Sequence, residues 1–383
     1  MKRTLTILLA LGLALAAQRA QADWTPAKRL TWTSGFSFGP AVAMDSSDAI
    51  HLVWTEDTSG NYEIYYKKST NGGASWAASR RLTWNSGYSY SPAIAIDSAA
   101  TLHVIWHDTT PGYAEIYYRS STDEGVTWSA VRRLTWTSGK SYNPAIAITT
   151  NNRIHVVWED GTPGNVEIYH KKSMDGGATW SPTRRLTWTS GDSYEPAIAI
   201  DSNNKIHVVW KDDTPGQYEL YYKRSTDGGT NWSSTQRLTW ISADSSCPAM
   251  AVHSTNAVHI VWHVETPAGL EIYYMKSEDG GADWSAARRL TWTSSSSSYP
   301  DIAVGSTNAV HVVWQEAYIG GNDEIHYRKS WDGGASWNPV QRLTWIAGWS
   351  NDPALTIDSA DTIHVVWRDD PTGNVEIYYK RSQ

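Results

Sequence analysis

Two sets of side chains recur along the chain and have the chemistry of a sugar-binding surface. The first set is aromatic and stands just before a repeated proline: Tyr90, Tyr142, Tyr194 and Tyr299. The second set follows a repeated tryptophan and consists of carboxylates and one arginine: Asp108, Asp160, Asp212, Asp213 and Arg368. Aromatic rings stack on the C–H faces of sugars, and carboxylates accept hydrogen bonds from sugar hydroxyls. We therefore predict that these residues bind a ligand; the alternative is that the tyrosines and aspartates only complete turns.

Catalysis on a sugar requires more than a repeated carboxylate. Hydrolysis of a glycosidic bond uses two carboxylic groups roughly 5 to 9 Å apart whose pKa values differ. Almost every repeat of this chain offers the same acids, which favours several weak binding sites over one catalytic site. One aligned position does vary, and it holds His107, Lys211, His263, Gln315 and Arg368. We assign no catalytic residue, and a glycoside hydrolase remains an alternative function.

The candidate residues lie in a long internal repeat. The tetrapeptide Arg-Leu-Thr-Trp recurs at intervals of 52 residues, with a last interval of 53, and ends at Trp32, Trp84, Trp136, Trp188, Trp240, Trp292 and Trp345. A second series closes a His-Val-Val-Trp motif or a variant of it at Trp54, Trp106, Trp158, Trp210, Trp262, Trp314 and Trp367. Each repeat contains four short runs rich in β-branched and aromatic residues, separated by Gly, Pro, Asn, Asp or Ser. This pattern is typical of strands and turns.

Four strands in each unit, repeated seven times, predict one all-β domain over residues 23–383. We expect a seven-bladed β-propeller of four-stranded antiparallel blades. The last repeat stops at Ser382 and Gln383, after a third strand, whereas the segment from Trp24 to Trp32 has the sequence of a fourth strand and its lead-in. The N-terminal strand is therefore predicted to complete the last blade and close the ring.

Residues 1–22 have the features of an export signal. Lys2 and Arg3 precede an apolar run, and Ala20-Gln21-Ala22 supplies the small residues that cleavage requires. We expect a secreted or periplasmic monomer without a membrane span after cleavage, and without a cofactor or a metal. The net charge of −7 argues against a nucleic-acid partner. The single cysteine excludes an intramolecular disulfide framework.

A Ser-x-Asp-x-Gly-x-x-Trp pattern separates the third and fourth runs. Its aspartates are Asp123, Asp175, Asp227, Asp279 and Asp332, and its tryptophans are Trp128, Trp180, Trp232, Trp284 and Trp337. The pattern resembles the Asp-box, or bacterial neuraminidase repeat, of the sialidase superfamily. The resemblance spans the mature chain and implies a sialidase-like propeller, although sialidases usually have six blades. We expect the box to be structural, with the aspartate accepting backbone hydrogen bonds and the tryptophan packing the turn.

A sialidase activity, which the resemblance implies as one function, needs a cluster of arginines for the substrate carboxylate. Most arginines of this chain stand instead in the predicted fourth strands, and only Arg368 lies in a loop between second and third strands. We therefore expect a module that binds a carbohydrate or another surface ligand at repeated rim sites, resembling propeller lectins. The alternatives are a sialidase-like glycoside hydrolase of the exo-alpha-sialidase type and a structural platform for protein interaction.

Overall fold

The computed structural model describes residues 23–383 apart from 59, 163, 319, 320, 346 and 372, so the predicted export signal lies outside the described residues. The described residues form 28 strands and no helix, and therefore contain no helix that could cross a membrane. The strands form seven four-stranded antiparallel sheets, the blades. Blade 1 consists of β2 (Ser37–Met44), β3 (Ile50–Glu56), β4 (Glu63–Ser69) and β5 (Arg80–Arg81). Blade 2 consists of β6 (Ser89–Ile96), β7 (Leu102–Asp108), β8 (Glu115–Ser121) and β9 (Arg132–Arg133).

The remaining blades repeat this order. Blade 3 comprises β10 (Ser141–Ile148), β11 (Ile154–Asp160), β12 (Glu167–Ser173) and β13 (Arg184–Arg185), and blade 4 comprises β14 (Ser193–Ile200), β15 (Ile206–Asp212), β16 (Glu219–Ser225) and β17 (Gln236–Arg237). Blade 5 comprises β18 (Ser245–Val252), β19 (Val258–Thr266), β20 (Gly269–Ser277) and β21 (Arg288–Arg289), and blade 6 comprises β22 (Ser296–Val304), β23 (Val310–Ala317), β24 (Asp323–Ser330) and β25 (Gln341–Arg342). Blade 7 comprises β26 (Asn351–Ile357), β27 (Ile363–Asp369), β28 (Glu376–Arg381) and the N-terminal β1 (Lys28–Arg29).

The blades form a closed ring, which confirms the predicted propeller. The first strand of each blade contacts the first strands of both neighbouring blades, and β26 of blade 7 contacts β2 of blade 1. β1 completes blade 7 by pairing with β28, so that Lys28 lies opposite Tyr379. Trp24 packs edge-on against Tyr327 of blade 6, with ring centroids 5.1 Å apart. In other blades the Asp-box tryptophan makes the equivalent contact, so the N-terminus supplies the packing residue that blade 7 lacks.

The core lies between the blades. The second strand of each blade is almost wholly buried because neighbouring blades cover both of its faces. Its tryptophan is 0% exposed in every blade. The ring of this tryptophan stacks on an aromatic residue of the third strand; for example, the centroids of Trp158 and Tyr169 are 6.0 Å apart. Alternating apolar residues on the β-period therefore build seven layers of core rather than one central core.

In four blades a buried hydrogen-bonded chain of a histidine and a tyrosine reaches the next blade. In blade 2 the Nδ1 atom of His103 lies 2.8 Å from the hydroxyl of Tyr118, which donates to the carbonyl of Gly176 in the Asp-box of blade 3. Gly177 follows with a φ of 91°, and a Cβ there would lie 2.1 Å from the same hydroxyl. The second-strand histidines are thus structural. Glycine is required at this turn because it allows both the left-handed backbone and the approach of the neighbouring blade.

The Asp-box turns have the hydrogen bonds expected of a folding element. Asp175 accepts from the backbone N–H of Thr179 at 2.8 Å and from the hydroxyl of Ser173 at 2.8 Å. Trp180 packs edge-on against Tyr118 of the preceding blade, at 5.2 Å. The aspartate and tryptophan of the box therefore stabilise the turn and its contact with the preceding blade.

The arginines of the fourth strands form a repeated set of ion pairs. Each pairs with the glutamate that begins the third strand of its own blade: Arg29 with Glu376, Arg81 with Glu63, Arg133 with Glu115, Arg185 with Glu167, Arg237 with Glu219, Arg289 with Glu271 and Arg342 with Glu324. The glutamates are buried, whereas the arginines are about a quarter to a third exposed. These arginines therefore lie on the outer part of the blades and have structural partners.

Candidate functional site

The first strands open at one end of the propeller around a cavity. We call this end the upper face, since the links between blades arrive there, and the Asp-box turns lie at the opposite end. The first strand has a β-bulge in every blade, and the residue before its proline has a φ between 47° and 58°. These bulge residues are Gly39, Ser91, Asn143, Glu195, Cys247, Tyr299 and Asp352. All but Gly39 line, with the seven prolines, a cavity of about 400 Å³ that we call the axial mouth.

The backbone at the axial mouth is strained in six of the seven blades. A left-handed φ costs an L-residue about 1–2 kcal/mol, whereas Gly39 adopts it freely. The other six blades nevertheless place a side chain there. Strain of this kind is concentrated at ligand-binding and catalytic sites, where the side chain has a use that compensates for it.

Beside each bulge, a residue of the first strand pairs with a residue of the second strand. We call these the mouth pairs, and all seven differ: Phe38–Thr55, Tyr90–His107, Tyr142–Glu159, Tyr194–Lys211, Ser246–His263, Ser298–Gln315 and Asn351–Arg368. The surrounding motifs, Pro-Ala-Ile and His-Val-Val-Trp, hardly vary. The chemistry of the upper face therefore changes around the axis while the frame that positions it stays the same.

Aromatic residues gather on one side of the mouth. The aromatic sector consists of Phe38, Tyr62, Tyr88, Tyr90, His107 and Tyr142 from blades 1 to 3. Tyr62 lies at its centre, with its ring centroid 4.9 Å from that of Tyr90 and 5.5 Å from that of Phe38. Tyr88 is 48% exposed and closes the group at 5.4 Å from Tyr62. The sector presents several partly exposed ring faces and edges to solvent.

A network of charged and polar groups lies beside this sector. Glu159 accepts hydrogen bonds from the Asn143 side-chain amide at 3.0 Å and from the backbone N–H of Glu195 at 2.8 Å. The Glu195 carboxylate accepts from the Lys211 ammonium at 2.7 Å and from the backbone N–H of Cys247 at 2.8 Å. Three consecutive blades are therefore connected through side chains at the mouth. We call Asn143, Glu159, Glu195, Lys211 and Cys247 the charged sector.

Burial sets the protonation of these groups. It raises the pKa of Glu159 to about 7, and the hydrogen bond from Glu195 N–H only partly offsets this. It lowers the pKa of both His107 and His263 to about 4, so their rings are neutral at pH 7. Burial also raises the pKa of the Cys247 thiol, with a further contribution from the Glu195 carboxylate. Cys247 is therefore a neutral thiol and a poor nucleophile.

Arg368 lies across the mouth from the charged sector. Its Nε atom is 2.9 Å from the carboxylate of Asp352, a bulge residue. Burial raises the pKa of Asp352, while Arg368 acts in the opposite direction. Neighbouring Asp301 stands where the other six blades have alanine, and burial raises its pKa to about 6. Its carboxylate accepts from the backbone N–H of Leu355 at 2.8 Å and so joins blades 6 and 7.

Three of the predicted ligand-binding carboxylates point into the blades. Asp108, Asp160 and Asp212 are at most 1% exposed and accept hydrogen bonds at 2.6–2.7 Å from serines that begin the first strands. Each also binds the backbone N–H two residues ahead. Both oxygens of each carboxylate are thus used in closing the end of the blade. This burial argues against ligand contact at these three positions.

The other predicted residues do lie at the upper face. Tyr90 and Tyr142 belong to the aromatic sector, and Tyr299 is 51% exposed at the mouth itself. Tyr194 donates to Asp192 at 3.2 Å, and Lys211 lies 4.6 Å from the ring centroid of Tyr218.

Asp213 accepts a hydrogen bond at 2.6 Å from the backbone N–H of Asp192, which lies in the link before β14. Sequence reasoning did not assign Tyr62, Tyr88 or Tyr218, because each stands in a loop outside the repeated motifs. The high frequency of tyrosine in these loops is the sequence feature that could have indicated them.

Comparison with known proteins supports the same architecture. The model of the BNR repeat-like domain matches residues 100–312, which is more than half of the chain. The chain belongs to this family. The seven blades and the sialidase-like solved structures agree with this family in fold. Comparison with curated proteins gives no sequence match.

Solved structures share the fold of this BNR propeller at low sequence identity. A polysaccharide lyase of family 25, an ulvan lyase bound to -[GlcA(1-4)Rha3S]-, has a TM-score of 0.67 and 10% identity over 91% of this chain and 95% of its own. The NanB sialidase of Streptococcus pneumoniae, as its K499G mutant, has a TM-score of 0.54 and 14% identity over 93% and 70%. A protein of unknown function from Dyadobacter fermentans has a TM-score of 0.57 and 14% identity over 94% and 100%.

Proposed function

We propose that this BNR propeller binds a carbohydrate at the axial mouth, at one asymmetric site. The aromatic sector stacks on a sugar ring, and the charged sector exchanges hydrogen bonds with its hydroxyls. The observation that carries this proposal is the divergence of the seven mouth pairs within an otherwise uniform frame. Seven equal sites would need seven equal pairs, so one composite site replaces the repeated rim sites that the sequence suggested.

The named relatives support a saccharide as the ligand class. One structural relative is a sialidase and another is a polysaccharide lyase bound to a disaccharide of glucuronic acid and sulfated rhamnose. Identities of 10–14% transfer only the fold to this chain. The sugar itself is inferred from the side chains: a mixed aromatic and hydrogen-bonding surface around a shallow cavity is the usual composition of a saccharide site.

Binding fits the geometry better than cleavage. The two oxygens of Glu159 already accept hydrogen bonds from Asn143 and Glu195, and Glu195 is held by Lys211. Arg368 is paired with Asp352, and the fourth-strand arginines are paired with glutamates on the outer part of the blades. Among the described residues, the mouth therefore offers no cluster of free arginines for the carboxylate of sialic acid. We accordingly propose a binding protein rather than an exo-sialidase.

A glycan array probed with residues 23–383 tests this function, run beside hydrolysis of a fluorogenic sialoside. We expect binding to a limited set of glycans without turnover. Turnover would instead support the glycoside hydrolase, and silence in both assays would support a platform for protein interaction. The variant Tyr90→Ala should weaken the best binding about tenfold, because it removes one stacking ring. Tyr113→Ala is the matched control, since Tyr113 is 55% exposed on a loop of the same blade but outside the aromatic sector.

We also infer that the chain is exported, on the basis of residues 1–22. Fractionation of cells that express the full chain tests this, with N-terminal sequencing of the product. Mature protein beginning at Asp23 outside the cytoplasm is expected. Retention of the full chain in the cytoplasm would contradict export without affecting the binding proposal.

A further inference from the structure

A second, regular set of aromatic residues lies on the outer edge of the propeller, away from the axial mouth. The tryptophan of each Arg-Leu-Thr-Trp motif is between 65% and 72% exposed: Trp32, Trp84, Trp136, Trp188, Trp240, Trp292 and Trp345. A planar indole that is two-thirds exposed has at least one open face. The same large apolar side chain is thus left in solvent at seven equivalent places, although burial of such a ring is strongly favourable. Packing within the blade does not explain this exposure.

Two cations flank most of these rings. The guanidinium of the arginine three residues earlier lies 5.6–5.8 Å from the ring centroid in all seven copies. Its charge is compensated by the third-strand glutamate described above. A second cation comes from the third strand of the next blade in six copies, at 5.5–5.9 Å: Lys67, Arg119, Lys171, Lys223, Arg328 and Lys380.

The second cation faces an open groove between blades. Between blades 2 and 3 this groove has a volume of about 790 Å³ and is lined by Trp136, Arg132, Lys171 and Trp180. The ammonium of Lys171 donates to the carbonyl of Leu134 at 2.6 Å, and Arg132 donates to the carbonyl of Ala178 at 2.5 Å. The Trp136 groove therefore places an indole face beside Arg132 and the largely buried Lys171, which is 8% exposed, and neither of these cations has an ion-pair partner among the described residues.

One groove lacks both of these charges and serves as an internal control. At Trp240 the position equivalent to Arg132 is Gln236, and the position equivalent to Lys171 is Met275. Trp240 is nevertheless 72% exposed, and Arg237 keeps its place at 5.6 Å from the ring. The fold thus tolerates glutamine and methionine at these two positions. Glutamine and methionine can therefore replace the two cations of another groove without changing the local fold.

We propose that the outer grooves bind a linear anionic polysaccharide, with a sugar ring on the open indole face and a sulfate or carboxylate group at the two uncompensated cations. Pyranose C–H faces and indole faces are complementary, and lysine and arginine are the natural partners of anionic groups. Because the grooves repeat around the edge, one polysaccharide chain can occupy several of them, and several weak contacts then give a higher overall affinity. The alternative polyanion is a nucleic acid. Its bases also stack on aromatic faces, and the oligodeoxynucleotide probe distinguishes the two ligands.

The test measures binding of dextran sulfate to residues 23–383 by isothermal titration calorimetry, with neutral dextran and a single-stranded oligodeoxynucleotide as probes. The charge variant combines Arg132→Gln, Lys171→Met, Arg184→Gln and Lys223→Met, and so converts two grooves to the composition of the Trp240 groove. We expect it to bind dextran sulfate about tenfold more weakly, with a shallower dependence on salt. The reverse variant, Gln236→Arg with Met275→Lys, should bind more tightly.

A second variant separates stacking from simple charge attraction. Trp136→Ala with Trp188→Ala removes two exposed rings and keeps every charge, and we expect it to weaken dextran sulfate binding at least severalfold. Undiminished binding in either variant would overturn the proposal. So would equal or tighter binding of the oligodeoxynucleotide at matched salt. The charge variant should leave binding of a neutral glycan at the axial mouth unchanged, which separates failure at the grooves from failure at the mouth.

Discussion

The Asp-box side of the propeller and its upper face are built from the same seven units, yet they differ in how far the units resemble one another. On the Asp-box side, blades 2 to 6 repeat the same aspartate, glycine and tryptophan with the same contacts, and blade 1 differs only in having Asn71 in place of the aspartate. On the upper face, each blade places a different mouth pair on the same bulge. A repeated framework thus holds unlike side chains in equivalent places, and function can vary without loss of the fold. The following predictions test this division between scaffold and site.

The largest effect is expected for the repeated core. Trp158 packs between blades 2 and 3 and is 0% exposed. Trp158→Ala should lower the free energy of unfolding by about 3–5 kcal/mol, because it removes a large buried ring and leaves a void. Urea unfolding measures this. A loss below about 1 kcal/mol would show that the blades are not held together by these layers.

A smaller effect with a pH dependence is expected at the mouth. Burial raises the pKa of Asp301 to about 6, so the folded state holds this proton more tightly than the unfolded state. The resulting stabilisation is present at low pH and is lost as the pH rises from about 4 to about 6. Because Asp301 faces the cavity and retains some exposure, we expect a loss of about 1–2 kcal/mol.

The variant Asp301→Ala provides the matched comparison, since the other six blades have alanine there. Thermal unfolding of both proteins between pH 4 and pH 7 gives the result. The wild type should lose stability relative to the variant across this window. Parallel stability curves would contradict the assignment of the titration to Asp301.

One irregularity within the scaffold can be repaired. His170 replaces the tyrosine that other blades place against the following Asp-box, and it lies 3.0 Å from His155. Burial lowers the pKa of both rings, so the pair is neutral. His170→Tyr should restore the hydrogen bond to the next blade and raise the free energy of unfolding by about 1 kcal/mol. Chemical denaturation tests this, and a decrease would show that blade 3 has adapted to the histidine.

The smallest effect is expected from relief of backbone strain. Ser91 has a φ of 50° and stands where blade 1 has Gly39. Ser91→Gly should raise the free energy of unfolding by up to about 1 kcal/mol, because glycine adopts this conformation without a steric cost. Asn152→Gly, at a left-handed turn on the Asp-box side, is the comparison variant. Lower stability in Ser91→Gly would show that the bulge is not strained.

The fold was predictable from sequence because the repeat fixes both strand periodicity and closure. The fourth-strand sequence ahead of Trp32 identified β1 as part of blade 7, and the pairing of Lys28 with Tyr379 confirms it. The site was less predictable. Arg368 is predicted from the sequence to lie in a loop, but it stands in β27; Asp108 is predicted to bind a ligand, but it ends β7 and is buried. A sequence does not show whether the last residues of a strand face solvent or a neighbouring blade.

The aromatic sector could not be predicted from the sequence, because its residues come together only when the blades pack. Tyr62 and Tyr90 belong to different blades and different repeat positions, and they meet only because the ring curves around the axis. The link from Glu159 to Glu195 likewise crosses a blade boundary. Pattern analysis identifies which positions vary among units, whereas the contacts among those positions follow from the geometry of the closed ring.

Hydrogen–deuterium exchange with a neutral glycan selected from the array tests the central claim most directly. We expect slower exchange on ligand binding at the bulges of blades 1 to 4, around residues 37–40, 89–92, 141–144 and 193–196, and no change in the Asp-box turns. Protection confined to the Asp-box turns, or spread equally over all seven blades, would contradict a single asymmetric site at the axial mouth.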